Sequence, residues 1–277
     1  MNFINYKDLV GNVKSWATKL PRDFDLIIAI PRSGIIPATL LSLYLNVPLT
    51  TIDVFTKHDY VISSGKRGNY NEKEIKKVLV VDDSINEGWE INRAREKLKD
   101  HSDLDIKYSA VYSCPSSENK IDFFYKIVEH PRCFEWNIMH HCFLQKSCLD
   151  IDGVICEDPT GEENDDGEEY RNFILNAKPK FIPTSKVKCF VTSRLEKYRS
   201  ETEMWLKKYD IDYDELIMLD LPDMKTRQKL NLQGKFKAEV YNEKSDTILF
   251  IESSERQAKE IAELTQKPVL CTDNMVL

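Results

Sequence analysis

This sequence predicts two α/β domains in tandem, and three observations carry the prediction. Short continuous apolar runs at 26–30, 78–81 and 248–251 read as strands buried on both faces of a parallel sheet. Each run ends in a polar turn and is followed by a segment of helical spacing, the alternation of βα units. A chain of 277 residues is long for one such core and comfortable for two. The spacing of these units predicts domains at 1–146 and 147–277, each a mostly parallel sheet flanked by helices.

Composition narrows the function classes. A hydrophobic share of 42% with 31% charged residues describes an ordinary globular protein, and a net charge of −7 argues against general nucleic-acid binding. The start of the chain lacks a basic stretch followed by an apolar one, and no apolar run approaches the length of a membrane span. A cytoplasmic protein acting on small molecules is expected, with a homodimer left open. Seven cysteines at scattered positions fit reduced, buried thiols better than a disulfide framework. Cys133, His140, His141, Cys142 and Cys148 offer zinc-binding side chains, but no C-x-x-C pair anchors them and packing is the preferred reading.

In the first half, Leu9, Val13, Trp16, Ala17 and Leu20 recur at helical spacing and Pro21 closes the helix. The run 26–30 leads into Pro31, Arg32, Ser33 and Gly34 and then an apolar helix over 35–45. A strand, a tight turn and a helix N-terminus present free backbone N–H groups, which suits an anion. Residues 47–54 read as a second strand. The stretch 56–71 has no periodicity and carries Lys57, Lys66 and Arg67, which reads as a cationic lid or a solvated loop. The next strand ends in Asp82 and Asp83, followed by Ser84, Ile85, Asn86, Glu87 and Gly88 and a helix to Leu98. Ligands of open α/β sheets bind at such strand ends. Two further strands are expected at 107–114 and 123–128. The segment 134–141 mixes aromatic, amide and imidazole groups, and interdomain packing is favoured over a grip on a base.

The run 78–88, preceded by the 31–34 turn, resembles the type I phosphoribosyltransferases over roughly residues 1–130. That resemblance implies that Asp82 and Asp83 bind the ribose hydroxyls of phosphoribosyl pyrophosphate (PRPP). Ser84, Ile85, Asn86, Glu87 and Gly88 would surround its 5′-phosphate, and Arg32, Ser33 and Gly34 would form the pyrophosphate loop. The family loop usually continues with threonines and small residues, whereas Glu87, Trp89 and Glu90 stand here. A carboxylate beside a dianionic phosphate costs energy, so a binding or regulatory module without catalysis is the alternative to a transferase.

The second half opens on a strand ending in Asp150 and Asp152, then Gly153 and an acidic loop over 157–169. A helix over 170–177, a strand over 188–194 that carries Thr192, a helix through Leu206 and a short strand over 216–219 follow. Lys237 stands near the start of a helix, where a cation is unfavourable for the dipole. The strand 247–252 ends in Glu252, with Ser253, Ser254 and Glu255 before a last helix and strand. This order of two Asp, Thr, Lys and an acid at strand tips resembles the haloacid dehalogenase (HAD) superfamily of phosphohydrolases over about residues 147–277. The resemblance implies a Mg²⁺ ion held by Asp150, Asp152 (through its backbone carbonyl) and Glu252, with Glu255 a weaker candidate. It makes Asp150 the nucleophile, Asp152 the acid and base, and Thr192 and Lys237 the groups that steady the phosphoryl oxygens. The family usually has Asp where Glu252 stands. The insertions after Gly153 and after Thr192 are too small for an obvious cap, so the first domain is expected to help shape the Asp150 site.

Overall fold

The computed structural model describes residues 1–58 and 75–277. They form two compact units, Met1–Trp136 and Asn137–Leu277. Most of the stretch 56–71 expected to be a lid, residues 59–71, lies outside the described residues.

The first unit runs β1 (Asn2–Ile4), α1 (Tyr6–Ala17), β2 (Leu26–Ala29), α2 (Ile35–Leu45), β3 (Leu49–Thr51), α3 (Ile52–His58), β4 (Lys77–Ile85), α4 (Trp89–Lys97), β5 (Asp105–Ser113), β6 (Phe123–Ile127) and β7 (Arg132–Phe134). Its main sheet has the order β3-β2-β4-β5-β6 with every pairing parallel. Alternate side chains of the central strands point to opposite faces. Ile27, Ala29, Leu79 and Val81 join Leu9, Val13, Trp16 and Leu41 of α1 and α2. Leu26, Ile28, Val78 and Val80 join Phe55, Ile91 and Ala94 of α3 and α4. Burial on both faces is why these strands are apolar throughout. Asn5 caps α1 reciprocally with Asp8, which sets its start before the first apolar residue of the stripe.

Two elements depart from the sequence expectation. The second strand stops at Thr51 and α3 begins at Ile52, because Ile52 and Phe55 bury together at helical spacing. The three-residue strands β1 and β7 pair in parallel as a separate small sheet, too short to leave a periodic signal.

The second unit runs β8 (Ser147–Leu149), α5 (Glu168–Asn176), β9 (Val187–Leu195), α6 (Arg199–Lys208), β10 (Tyr213–Leu219), α7 (Met224–Leu230), α8 (Gln233–Glu243), β11 (Leu249–Glu252), α9 (Glu255–Thr265) and β12 (Val269–Cys271). Its parallel sheet has the order β10-β9-β8-β11-β12. Cys148, Val191 and Phe250 pack on Ala238, Tyr241, Ala258 and Ile261 of α8 and α9, while Leu149, Phe190 and Ile251 are equally buried on the other face. Six of the seven cysteines are buried. Among the described residues no helix is long and apolar enough to cross a membrane.

Both sheets reverse their direction of growth once. The first does so between β2 and β4, the second between β8 and β11. A crevice opens at the carboxyl ends of the strands at such a switch point, and ligands of open α/β sheets bind there. Pro31–Gly34 and Asp82–Gly88 flank one switch point, and Asp150 and Glu252 flank the other.

Candidate functional site

At the first switch point the turn after β2 meets the tip of β4. Gly34 makes that approach feasible: a Cβ there would lie 2.5 Å from the Ile30 carbonyl oxygen and 2.8 Å from that of Val81. Ser33 Oγ donates to Asp83 Oδ1 at 2.7 Å and Trp136 Nε1 donates to Asp83 Oδ2 at 2.7 Å. Both oxygens of the buried Asp83 carboxylate are thus engaged from within the unit. Asp82 is buried beside it and its Oδ1 accepts from the Asp83 amide at 2.8 Å. Burial, then the charge of Asp83, holds the Asp82 carboxyl well above the usual carboxylate range. Arg32 is exposed.

The loop after β4 lines a hollow of about 260 Å³ with Asp82, Ser84, Ile85, Asn86, Glu87, Gly88, Trp89, Glu90 and Ile91. Gly88 sits at φ 88° and starts α4 with no side-chain cap, so the helix N–H groups face the hollow uncapped. Among the described residues neither Lys nor Arg lines it. The Trp89 indole donates to Glu87 Oε2 at 2.5 Å, and His130 Nε2 lies 2.9 Å from Asn86 Oδ1. The hollow thus carries three acids, Asp82, Glu87 and Glu90. Two cations hold the loop by its backbone: Lys120 Nζ donates to the Glu87 carbonyl at 3.0 Å and Arg132 Nη2 to the Ile85 carbonyl at 2.7 Å. Trp136 was not identified from sequence as a partner of the Asp pair, since their contact spans 53 residues.

At the second switch point the expected residues converge. Lys237 Nζ donates to Asp150 Oδ2 at 2.6 Å, Glu252 Oε2 at 2.6 Å and Gln257 Oε1 at 2.9 Å. Asp150 Oδ1 accepts from the Ile151 amide at 2.8 Å, and Glu252 Oε1 accepts from the amides of Ser253 and Ser254, each at 3.1 Å. Burial works to lower the Lys237 pKa, but the charges of Asp150 and Glu252 outweigh it and hold the ammonium above the ordinary lysine value. Burial and Asp150 push Glu252 up, against the pull of Lys237.

Asp152 points to a different partner. Arg194 Nη2 donates to its Oδ1 at 2.6 Å and Arg194 Nε reaches both oxygens, at 3.2 and 3.1 Å. The guanidinium is buried and fixes the direction of the carboxylate. Thr192 Oγ1 accepts from the Arg194 amide at 3.2 Å. Ser253 Oγ donates to the Asp152 carbonyl at 3.3 Å, in the space left because Gly153 has no Cβ and turns the chain at φ 75°. Glu255 stands at the cavity edge with its carboxylate 2.6 Å from Lys259 Nζ.

Asp150, Asp152, Thr192, Lys237, Glu252 and Glu255 line one cavity of about 410 Å³, together with Asp158, Ser193, Arg227, Gln233, Gln257 and Asp273. Among the described residues no three His, Cys, Asp or Glu side chains are gathered around one point as a full metal cluster would be. Sequence reasoning missed Arg194 and Gln257. Arg194 follows Thr192 by two positions on a strand, so the period of two was a usable signal; Gln257 gave none.

Comparison with known proteins bears on the first half. Purine phosphoribosyltransferase from Pyrococcus horikoshii Ot3 is 22% identical, over 49% of this chain and 92% of that one, with a TM-score of 0.37. Xanthine-guanine-hypoxanthine phosphoribosyltransferase from Helicobacter pylori is 16% identical, over 50% of this chain and 92% of that one, also at 0.37. Orotate phosphoribosyltransferase from Aeropyrum pernix is 16% identical, over 48% of this chain and 73% of that one, at 0.32. Residues 5–142, just under half of the chain, match the phosphoribosyl transferase domain model.

Proposed function

We propose that the second unit is a HAD-like phosphomonoester hydrolase working at the Asp150 cavity, joined to a phosphoribosyltransferase domain that recognises PRPP or a ribosyl 5′-phosphate compound. The observation that carries this is the convergence of Asp150, Asp152, Thr192, Lys237 and Glu252 on one polar cavity at a sheet switch point.

In this reading an Asp150 carboxylate oxygen attacks phosphorus, and the bond to the leaving oxygen breaks as Asp152 delivers a proton to that oxygen. Asp152 then takes a proton from water, whose oxygen attacks the aspartyl phosphate and returns the carboxylate and inorganic phosphate. Arg194 keeps Asp152 aimed through both steps. Lys237 balances charge at the nucleophile, and Thr192 hydrogen-bonds the phosphoryl oxygens. Mg²⁺ suits the donor chemistry, because it favours hard oxygens and is commonly held by one or two carboxylates with waters completing its shell. Asp150, Glu252 and the Asp152 carbonyl would hold it, and it would supply charge neutralisation for an anionic substrate.

The experiment is release of phosphate from a panel of phosphorylated metabolites, with and without Mg²⁺, by wild type and Asp150→Asn. Loss of Mg²⁺-dependent turnover in a variant that melts like the wild type is expected. Turnover close to wild type removes Asp150 as the nucleophile.

For the first unit, phosphoribosyl transfer has a rival reading, binding without consumption. The acidic hollow and the internal engagement of both Asp83 oxygens favour the rival. Calorimetry and product analysis with PRPP separate them: binding with no pyrophosphate released supports the module, and pyrophosphate release supports the transferase.

A further inference from the structure

Three polar side-chain atoms that are buried without a hydrogen-bond partner among the described residues belong to the Asp150 cavity: Ser193 Oγ, Arg227 Nε and Gln233 Oε1. A buried polar atom left unsatisfied destabilises the fold unless something completes it. The residues that carry the three line one cavity, from β9, from α7 and from the start of α8.

The charges in the cavity differ in kind. Lys237 is engaged by two carboxylates and an amide oxygen, and Arg194 is committed to Asp152. Arg227 is held by neutral groups alone, donating from Nη1 to the Ser193 carbonyl oxygen at 2.9 Å and pairing with the buried Tyr170 hydroxyl. No ion pair joins it to a carboxylate among the described residues. Among the described residues it makes no hydrogen bond to Asp150 or Glu252. The helix that carries it has no fully buried residue, and Arg227 itself is half-buried.

We propose that Arg227, Ser193 and Gln233 form a leaving-group subsite that selects phosphomonoesters bearing a second anionic group, either a carboxylate or a second phosphate. The planar guanidinium offers parallel N–H donors to two oxygens of such a group. Ser193 adds a hydroxyl, and Gln233 an amide that pairs with a neighbouring hydroxyl of the substrate. The reacting phosphoryl group is assigned to Asp150 and Lys237, so the subsite takes the other end of the molecule. This rests on the phosphohydrolase reading of the cavity.

The test compares kcat/KM of the full chain with Mg²⁺ on glycerol phosphate, on phosphoglycolate, which adds a carboxylate, and on propanediol bisphosphate, which adds a phosphate. The wild type prefers at least one doubly anionic compound, and which one identifies the source of the second charge. In Arg227→Met the ratio of that compound to glycerol phosphate falls about tenfold or more, as loss of a charge-assisted contact requires. An unchanged ratio overturns the subsite, whatever happens to the individual rates, and so does a wild type without preference. If Arg227→Met fails to fold, Arg227→Lys is read the same way and loses about threefold or more with the planar fork. If the wild type releases no phosphate from any compound, the phosphohydrolase reading fails and the subsite is judged on binding alone. Calorimetry with phosphonoacetate then gives at least fivefold weaker binding by the Arg227 variant, by the same loss; equal or undetectable binding overturns the subsite too.

Discussion

The Asp82 and Asp83 pair shows two adjacent carboxylates placed in unlike circumstances by one strand. Asp83 receives hydrogen bonds on both oxygens, whereas burial and its neighbour's charge hold the Asp82 carboxyl well above its usual range. The raised value means that the folded chain keeps a proton which the unfolded chain releases at lower pH. The associated stability is fully present below the unfolded value of about 3.8 and is lost as pH rises through the folded one. Asp82→Asn keeps the Oδ1 acceptor without a charge, so it removes that loss. Melting curves from about pH 4 to about pH 8 should show the variant gaining on the wild type as pH rises, by about 1–3 kcal/mol at the upper end. A constant difference between the two proteins would mean that the folded and unfolded chains hold the same protons at Asp82, so that folding does not raise its carboxyl.

The elements that were legible in the sequence were those whose burial leaves a pattern. Apolar runs marked β2, β4 and β11, and the residues at their ends fell at the switch points. The α7 helix left no trace, because a helix with no buried residue has no apolar stripe. The boundary between β3 and α3 was hidden for the opposite reason: a β-branched run continued into residues whose burial follows a helical period. Side-chain partnerships across the sheet, Trp136 with Asp83 and Lys237 with Glu252, have no local signature at all. The close approach of β2 and β4 gives the element-scale prediction. Gly34→Ala places a methyl against two backbone carbonyl oxygens that cannot swing aside, and should cost about 1–3 kcal/mol in denaturant unfolding. An unaffected midpoint would show that the two strand ends have room to separate.

At the scale of the molecule, each unit has its own five-stranded parallel sheet and its own buried apolar residues, which is what independent folding requires. Residues 137–277 expressed alone should give a cooperative melt and retain the phosphatase turnover on a small aryl phosphate within about threefold, since every residue assigned to that chemistry lies inside the fragment. A fragment without a cooperative transition would make the units interdependent. The phosphoribosyl transferase domain model that residues 5–142 match and the phosphohydrolase proposed for the second unit both concern phosphate esters, which is why we propose one substrate class for both. The most direct measurement is to mix the full chain with Mg²⁺ and its best phosphomonoester, quench in acid within one turnover, and weigh the peptide that contains Asp150. That peptide should carry the added mass of one phosphoryl group, absent from Asp150→Asn. Steady release of phosphate with that peptide never labelled would contradict a phosphoryl-aspartate at Asp150.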